Sequence, residues 1–228
     1  MPTTKKILTF LGSFLTSLGS FAVICSVLGT KEWVHSTVNL TDSSSKITIY
    51  MSYGLFSGQS SRKFDPGLEE PTKFFQVLEE LSGSPKTLHS LIILFLVLSL
   101  LASLLSAGFS LYNSISNPYQ TFLGSVGVYT WSGLSMSLVF LTMILFVANT
   151  QANGLSEMLA QSVYSVPPDA NYHYTAHSYG LSFWLQLLAL VLGLGTVGIV
   201  LLYQKARYQR KQEQRKPMEE APRDGILF

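Results

Sequence analysis

The chain has 228 residues, of which 47% are hydrophobic and only 12% charged. A soluble globular domain carries about 25% charged residues, so much of this chain is not expected to face water. That excludes a soluble enzyme, a nucleic-acid binder and a disordered scaffold. A net charge of +2 confines any basic patch to one place, and a single cysteine precludes an intramolecular disulfide.

Acids and bases are missing from three tracts, 7–30, 87–156 and 170–204. A bilayer core takes roughly 20 apolar residues in a helix. The first and third tracts each hold one span, and the middle one holds two around a polar turn at 112–118. The fold class is therefore an all-α membrane protein, a four-transmembrane-helix bundle. A short N-terminus, 1–6, with Lys5 and Lys6 precedes the first span, 7–30. That span is too long for a signal-peptide core and lacks a small-residue cleavage site before Gly29. Gly12, Thr16 and Ser20 recur every four residues on it, a spacing that lets helices approach closely. Cys25 is expected there as a small buried packing residue.

The first loop, 31–87, carries pattern of its own. Val34, Ser36, Val38 and Leu40 alternate with polar residues, and so do Ile47, Ile49, Met51 and Tyr53. Two period-two runs around Asp42-Ser43-Ser44-Ser45 predict an antiparallel β-hairpin. Asn39-Leu40-Thr41 is an N-glycosylation sequon, with Asn39 on the polar face of that hairpin. Pro71 is expected to start a short helix carrying Phe74, Phe75, Leu78 and Leu81 as one apolar stripe.

The second span covers 88–111, with Ser99, Ser103 and Ala107 at close-packing spacing, and a turn, 112–125, leads to the third span, 126–148. In the second loop, 149–178, Asp169, His173 and His177 are spaced by four, but no fourth ligand is evident and no metal site is expected. Nor can a Ser-His-Asp or Cys-His pairing be argued from spacing. No catalytic residue and no cofactor are expected. The fourth span, 179–203, holds Ala189 and Gly193 and runs into a tail, 204–228.

Flanking bases set the orientation. The N-terminus has two lysines and no acid, the first loop balances bases with acids, and the tail is rich in bases. Both termini are expected in the cytoplasm, with the two longer loops outside. Directly after the last span, Lys205, Arg207, Arg210, Lys211, Arg215 and Lys216 form a basic segment suited to anionic lipids. The tail ends Ile226-Leu227-Phe228, and Ile226 and Phe228 are spaced as a PDZ-domain ligand requires. No span holds an Asp, Glu, Lys or Arg, which argues against a pump, a charge-coupled transporter or a voltage sensor.

Trp33 just after the first span, with Tyr53-Gly54-Leu55-Phe56 closing the second strand, resembles the claudin-like four-span superfamily. Met1-Pro2, Leu28-Gly29-Thr30, Tyr53 to Gly58 and Ser182-Phe183-Trp184 resemble the clarin family within it. The stretches 112–122 and 222–228 resemble one clarin in particular. The superfamily generally braces its first loop with a disulfide, but Ser57 to Leu68 contain no cysteine. Packing of the apolar face, with the Trp33 and Phe56 rings, is expected to hold the sheet instead. The resemblance implies a non-enzymatic plasma-membrane protein that organises membrane complexes, linked to sensory cells and hearing. The alternative is a claudin-like junction component or an auxiliary channel subunit, either of which requires lateral homo- or hetero-association.

Overall fold

The computed structural model of the protein describes residues 4–42, 45–65, 67–116, 124–166 and 171–219. Helix α1, Thr4–Gly29, leads into strands β1, Val34–Asp42, and β2, Ser45–Tyr53. Strands β3, Ser57–Phe64, β4, Leu68–Glu69, and β5, Lys73–Gln76, follow, then a single turn of helix α2, Val77–Glu80. The long helices α3, Gly83–Ile115, and α4, Ser125–Gln151, come next. A short helix α5, Leu155–Tyr164, and strand β6, Asn171–Tyr179, precede the last helix α6, Leu181–Glu219.

Helices α1, α3 and α4 and the Leu181–Glu213 part of α6 are long and apolar enough to cross a membrane. They pack as a ring, α1 against α3 and α6, and α4 against the same two. The packing is inverted relative to a water-soluble bundle. Leucines and other large apolar residues point outward, with Leu15 60%, Phe140 58% and Val191 62% exposed. Lipid offers such side chains the same apolar surroundings as a core, so helix association falls to small residues and hydrogen bonds.

Hydroxyls fill that interior. Ser13 and Ser110 share a hydrogen bond of 3.1 Å, and Ser17 donates to the Ser103 carbonyl at 3.0 Å, joining α1 to α3. Thr16 and Thr196 meet at 2.8 Å, and Ser20 donates to the Ala189 carbonyl, joining α1 to α6. Ser106 meets Ser132 at 2.7 Å, and Ser135 donates to the Ser99 carbonyl, joining α3 to α4. Thr142 donates to Gln186 Oε1 at 3.0 Å between α4 and α6. The small residues expected to let backbones meet thus do so within one chain. Cys25 departs from expectation, being exposed on α1.

The sheet is larger than a hairpin. Its order is β4-β3-β2-β1-β6, with β5 pairing β3 beside β4. β1 and β2 pair antiparallel from Val34↔Tyr53 to Asp42↔Ser45, as the alternating pattern required. β6 comes from the second loop and adds to the far edge of β1, from Val34↔Tyr179 to Thr41↔Asn171. The helix expected from Pro71 is corrected. Phe74 and Phe75 lie on a strand, Phe74 73% exposed and Phe75 buried, and helix begins only at Val77. The free edge of β3 captures Lys73–Gln76 by Gly58↔Phe75 and Gln59↔Phe74, and strand alternation then separates the two rings.

The inner face of the sheet carries Val34, Val38, Leu40, Ile47, Ile49, Met51 and Tyr53, all buried. Helix α5 lies beneath it, burying Leu155, Leu159 and Ala160. The same cluster continues into the bundle through Ile24, Val27, Ile92, Leu96, Phe146 and Phe183. Sheet and bundle share one core.

Candidate functional site

The residues that carry the superfamily resemblance lie where the sheet meets the bundle. Trp33 is fully buried, and its indole Nε1 donates to the Val27 carbonyl at 2.9 Å, capping the last turn of α1. Its ring lies 4.7 Å from that of Phe146 on α4. Its backbone is held from both sides: the N–H donates to Tyr53 O, and the carbonyl accepts from Gly180 N at 2.9 Å. Leu55 is fully buried and its carbonyl accepts from His89 Nε2 at 2.8 Å, tying the β2–β3 turn to α3. Phe56, expected to pack with Trp33, is instead 44% exposed. Buried Leu55 is the residue of that step that fills the junction, and its neighbour points the other way.

Two glycines make this junction close enough. A Cβ on Gly54 would stand 2.1 Å from the Thr30 carbonyl oxygen, and one on Gly180 2.3 Å from the Glu32 carbonyl oxygen. The 30–33 segment therefore passes between two backbones with no room for a side chain on either. Gly54 recurs in the superfamily step, whereas nothing in the residue pattern singled out Gly180.

Beneath the sheet lies a polar cluster that spacing could not show. Ser36 on β1 and Ser156 on α5 hydrogen-bond at 2.7 Å, and Tyr53 on β2 hydrogen-bonds with Ser156 at 2.8 Å. His177 Nδ1 on β6 lies 3.0 Å from Ser36 Oγ and 3.3 Å from Ser156 Oγ. One cluster so links three strands and the helix below them. Burial pushes the Tyr53 hydroxyl up to about 12, against the pull of Ser156 and Ser36, so it stays neutral. Burial also lowers the pKa of His177, partly offset by the Glu157 carboxylate. The Ser156 hydroxyl is fully covered, so the serine–histidine contact serves bracing rather than attack on a substrate. His173 and His177 stand on a strand, and Asp169, the third of that trio, lies outside the described residues.

Asn39 occupies the middle of β1, half-buried on the polar face, where Thr48 Oγ1 donates to its Oδ1 at 2.9 Å. Arg62 on β3 pairs with Glu70 at 2.9 Å, its guanidinium 4.4 Å from the Phe64 ring and 5.1 Å from that of Tyr164. These contacts, with strand pairing, support the part of the loop that has no disulfide. At the opposite end of the bundle Lys6 Nζ donates to the Ser116 carbonyl at 2.7 Å. Lys205, Arg207, Arg210 and Lys211 are exposed on α6, which also carries Arg215 and Lys216. Ile226 and Phe228 lie outside the described residues.

A family model described as Clarin-2-like matches residues 4–193. The chain belongs to the clarin family. Along 229 aligned residues it is 65% identical to Clarin-3 of Homo sapiens, covering 100% of both chains. Clarin-3 of Mus musculus is 56% identical over the same full length. Clarin-1 of Homo sapiens is 29% identical over 197 residues, 81% of this chain and 82% of that protein. Clarin membership and four apolar helices together make this a multi-pass membrane protein.

Two predictions follow from the junction and the cluster beneath the sheet. Gly54→Ala places a methyl against backbone that no rotamer change can clear, and should cost about 3 kcal/mol or more. Gly29→Ala, with nothing within 4 Å, should cost far less. Melting temperatures of the detergent-purified chains compare the two. For His177, the folded pKa lies below the ordinary 6.5. Its contribution to stability is full above 6.5 and is lost as pH falls through the lowered folded value, because the unfolded chain takes up the proton first. The fall in melting temperature between neutral pH and pH 5 should be shallower in His177→Gln than in the wild type.

Proposed function

We propose that this clarin-family chain is a non-enzymatic plasma-membrane glycoprotein that organises membrane complexes from both faces of the bilayer. Its termini lie in the cytoplasm, and its sheet projects outside. The supporting observation is the segregation of the two ends. Both longer loops build one rigid sheet at one end of the bundle, and the exposed bases of α6 gather at the other. A sheet fused to the bundle core presents its polar face in a fixed attitude to a partner. Bases just past an apolar span sit at headgroup depth, where an anionic inner leaflet attracts them.

Asn39 fits a glycan attached to that polar face, and the segment Ile226-Leu227-Phe228 fits a PDZ domain of a cytoskeletal or trafficking partner. The family resemblance supports a role for this work in sensory cells, hair cells included.

Glycosidase digestion of the wild type beside Asn39→Gln, with epitope tags at both ends, tests the arrangement. A mobility shift confined to the wild type, with both tags reached only after permeabilisation, is expected. Tags reached from outside on intact cells, with no glycan on either chain, would overturn it. A pull-down comparing the full chain with one lacking Phe228 should lose the PDZ partner; unchanged capture would remove that part.

A further inference from the structure

The seam by which α6 packs on α1 does not stop at the membrane. Ala189, Thr196 and Val200 are buried along it, and Tyr203 meets the Phe10 ring edge-on at 5.6 Å between centroids. Continuing at the same alternation of three and four residues, the next positions are Arg207 and Arg210. Helix α1 begins at Thr4, whereas α6 runs on to Glu219. Beside the first turns of α1, where the seam continues along α6, a cavity of about 430 Å³ opens among the described residues. Its lining includes Lys5 and Thr9 from α1 and Tyr203, Arg207, Arg210 and Lys211 from α6.

The charge of this cavity is unbalanced. Among the described residues its lining has four cations and no carboxylate, and none of the four makes an ion pair. Gathering like charges around one space costs energy that an anion there would recover. Tyr203 adds a hydroxyl, while the Thr9 hydroxyl donates to the Lys5 carbonyl at 2.8 Å. The position is equally specific: the apolar tract of α1 starts at Ile7 and that of α6 ends at Tyr203, so the cavity lies level with lipid headgroups. Basic pockets between spans at that depth suit phosphorylated headgroups, and the volume falls within the range of about 300–1,000 Å³ usual for small ligands.

We propose that this groove between α1 and α6 binds the phosphorylated headgroup of an anionic membrane lipid. The proposal rests on the orientation argued above and sharpens the role of the tail. Lys5, from the opposite end of the chain, becomes part of the site, and Lys205, on the same helix but outside the lining, does not.

The test uses the full chain purified in detergent and titrated with dioctanoyl phosphatidylinositol 4,5-bisphosphate. Dioctanoyl phosphatidylcholine and inositol 1,4,5-trisphosphate serve as comparison probes. Saturable binding of the phosphoinositide is expected, with none of phosphatidylcholine. The soluble headgroup should bind at least about tenfold more weakly, because it lacks the acyl chains. Lys5→Gln and Arg210→Gln should each weaken binding about fivefold, and Lys205→Gln less than about twofold. Unchanged binding by Lys5→Gln, or equal losses in all three variants, would replace the groove with a diffuse basic tail. Equal affinity for inositol trisphosphate would assign the site to soluble phosphates. Binding in detergent does not depend on orientation, so a topology reversed by the epitope tags would fail separately from the groove.

Discussion

The chain leaves α1 through a passage one backbone wide, with Gly54 on one side and Gly180 on the other. At 2.1 Å and 2.3 Å, the distances from a hypothetical Cβ to the flanking carbonyls leave no alternative residue without displacement of the main chain. Because the passage is so narrow, Trp33 can donate to the end of α1 while its own backbone joins β2 and the start of α6. The pairings Val34↔Tyr53 and Val34↔Tyr179 begin at this point. The register of β2, β1 and β6 is therefore set from the membrane end upward, and so is the position of α5 beneath them. A disulfide would brace one pair of strands; the passage braces β1, β2, α1 and α6 together.

The bundle beneath solves a different problem. Water drives apolar side chains together in a soluble protein, but lipid does not. Many serines and threonines of the four spans face one another, and each hydroxyl that bonds across helices is satisfied within the interior. No formal charge takes part, so helix association is insensitive to pH and to membrane potential over most of its length. Among the described residues charged side chains gather toward the two ends, with the Arg62–Glu70 pair of the sheet at one and the bases near Lys5 at the other.

The spans were legible because lipid forbids charge over roughly 20 residues, and a blank of that length has few other causes. The hairpin was legible because two runs of alternation, 34–41 and 47–53, outlast a helical reading. Phe74 and Phe75 were misplaced because so short a segment satisfies both periods, and only the free edge of β3 decides between them. Strand β6 was missed for a related reason. Its run of tyrosines and threonine has strand propensity, but its partner lies in another loop, and local pattern carries no record of a distant pairing. The polar cluster and the cavity between α1 and α6 are likewise products of contact between remote segments. Gly54 stood in a recognisable step; Gly180, with the same duty, had no pattern around it.

The pairing of β1 with β6 also sets an order in time. β1 ends at Asp42 and β6 begins at Asn171, with two spanning helices and α5 between them. At ordinary rates of synthesis that interval lasts on the order of ten seconds. During it the strand destined for the middle of the sheet is an edge strand, its outer row of N–H and C=O groups open to any neighbour. Asn39 stands on that strand, next to a partner not yet made. Until the second loop folds back, Asn39 lacks Tyr174, its strand neighbour in the finished sheet. The last loop to be made is thus the one that closes the first.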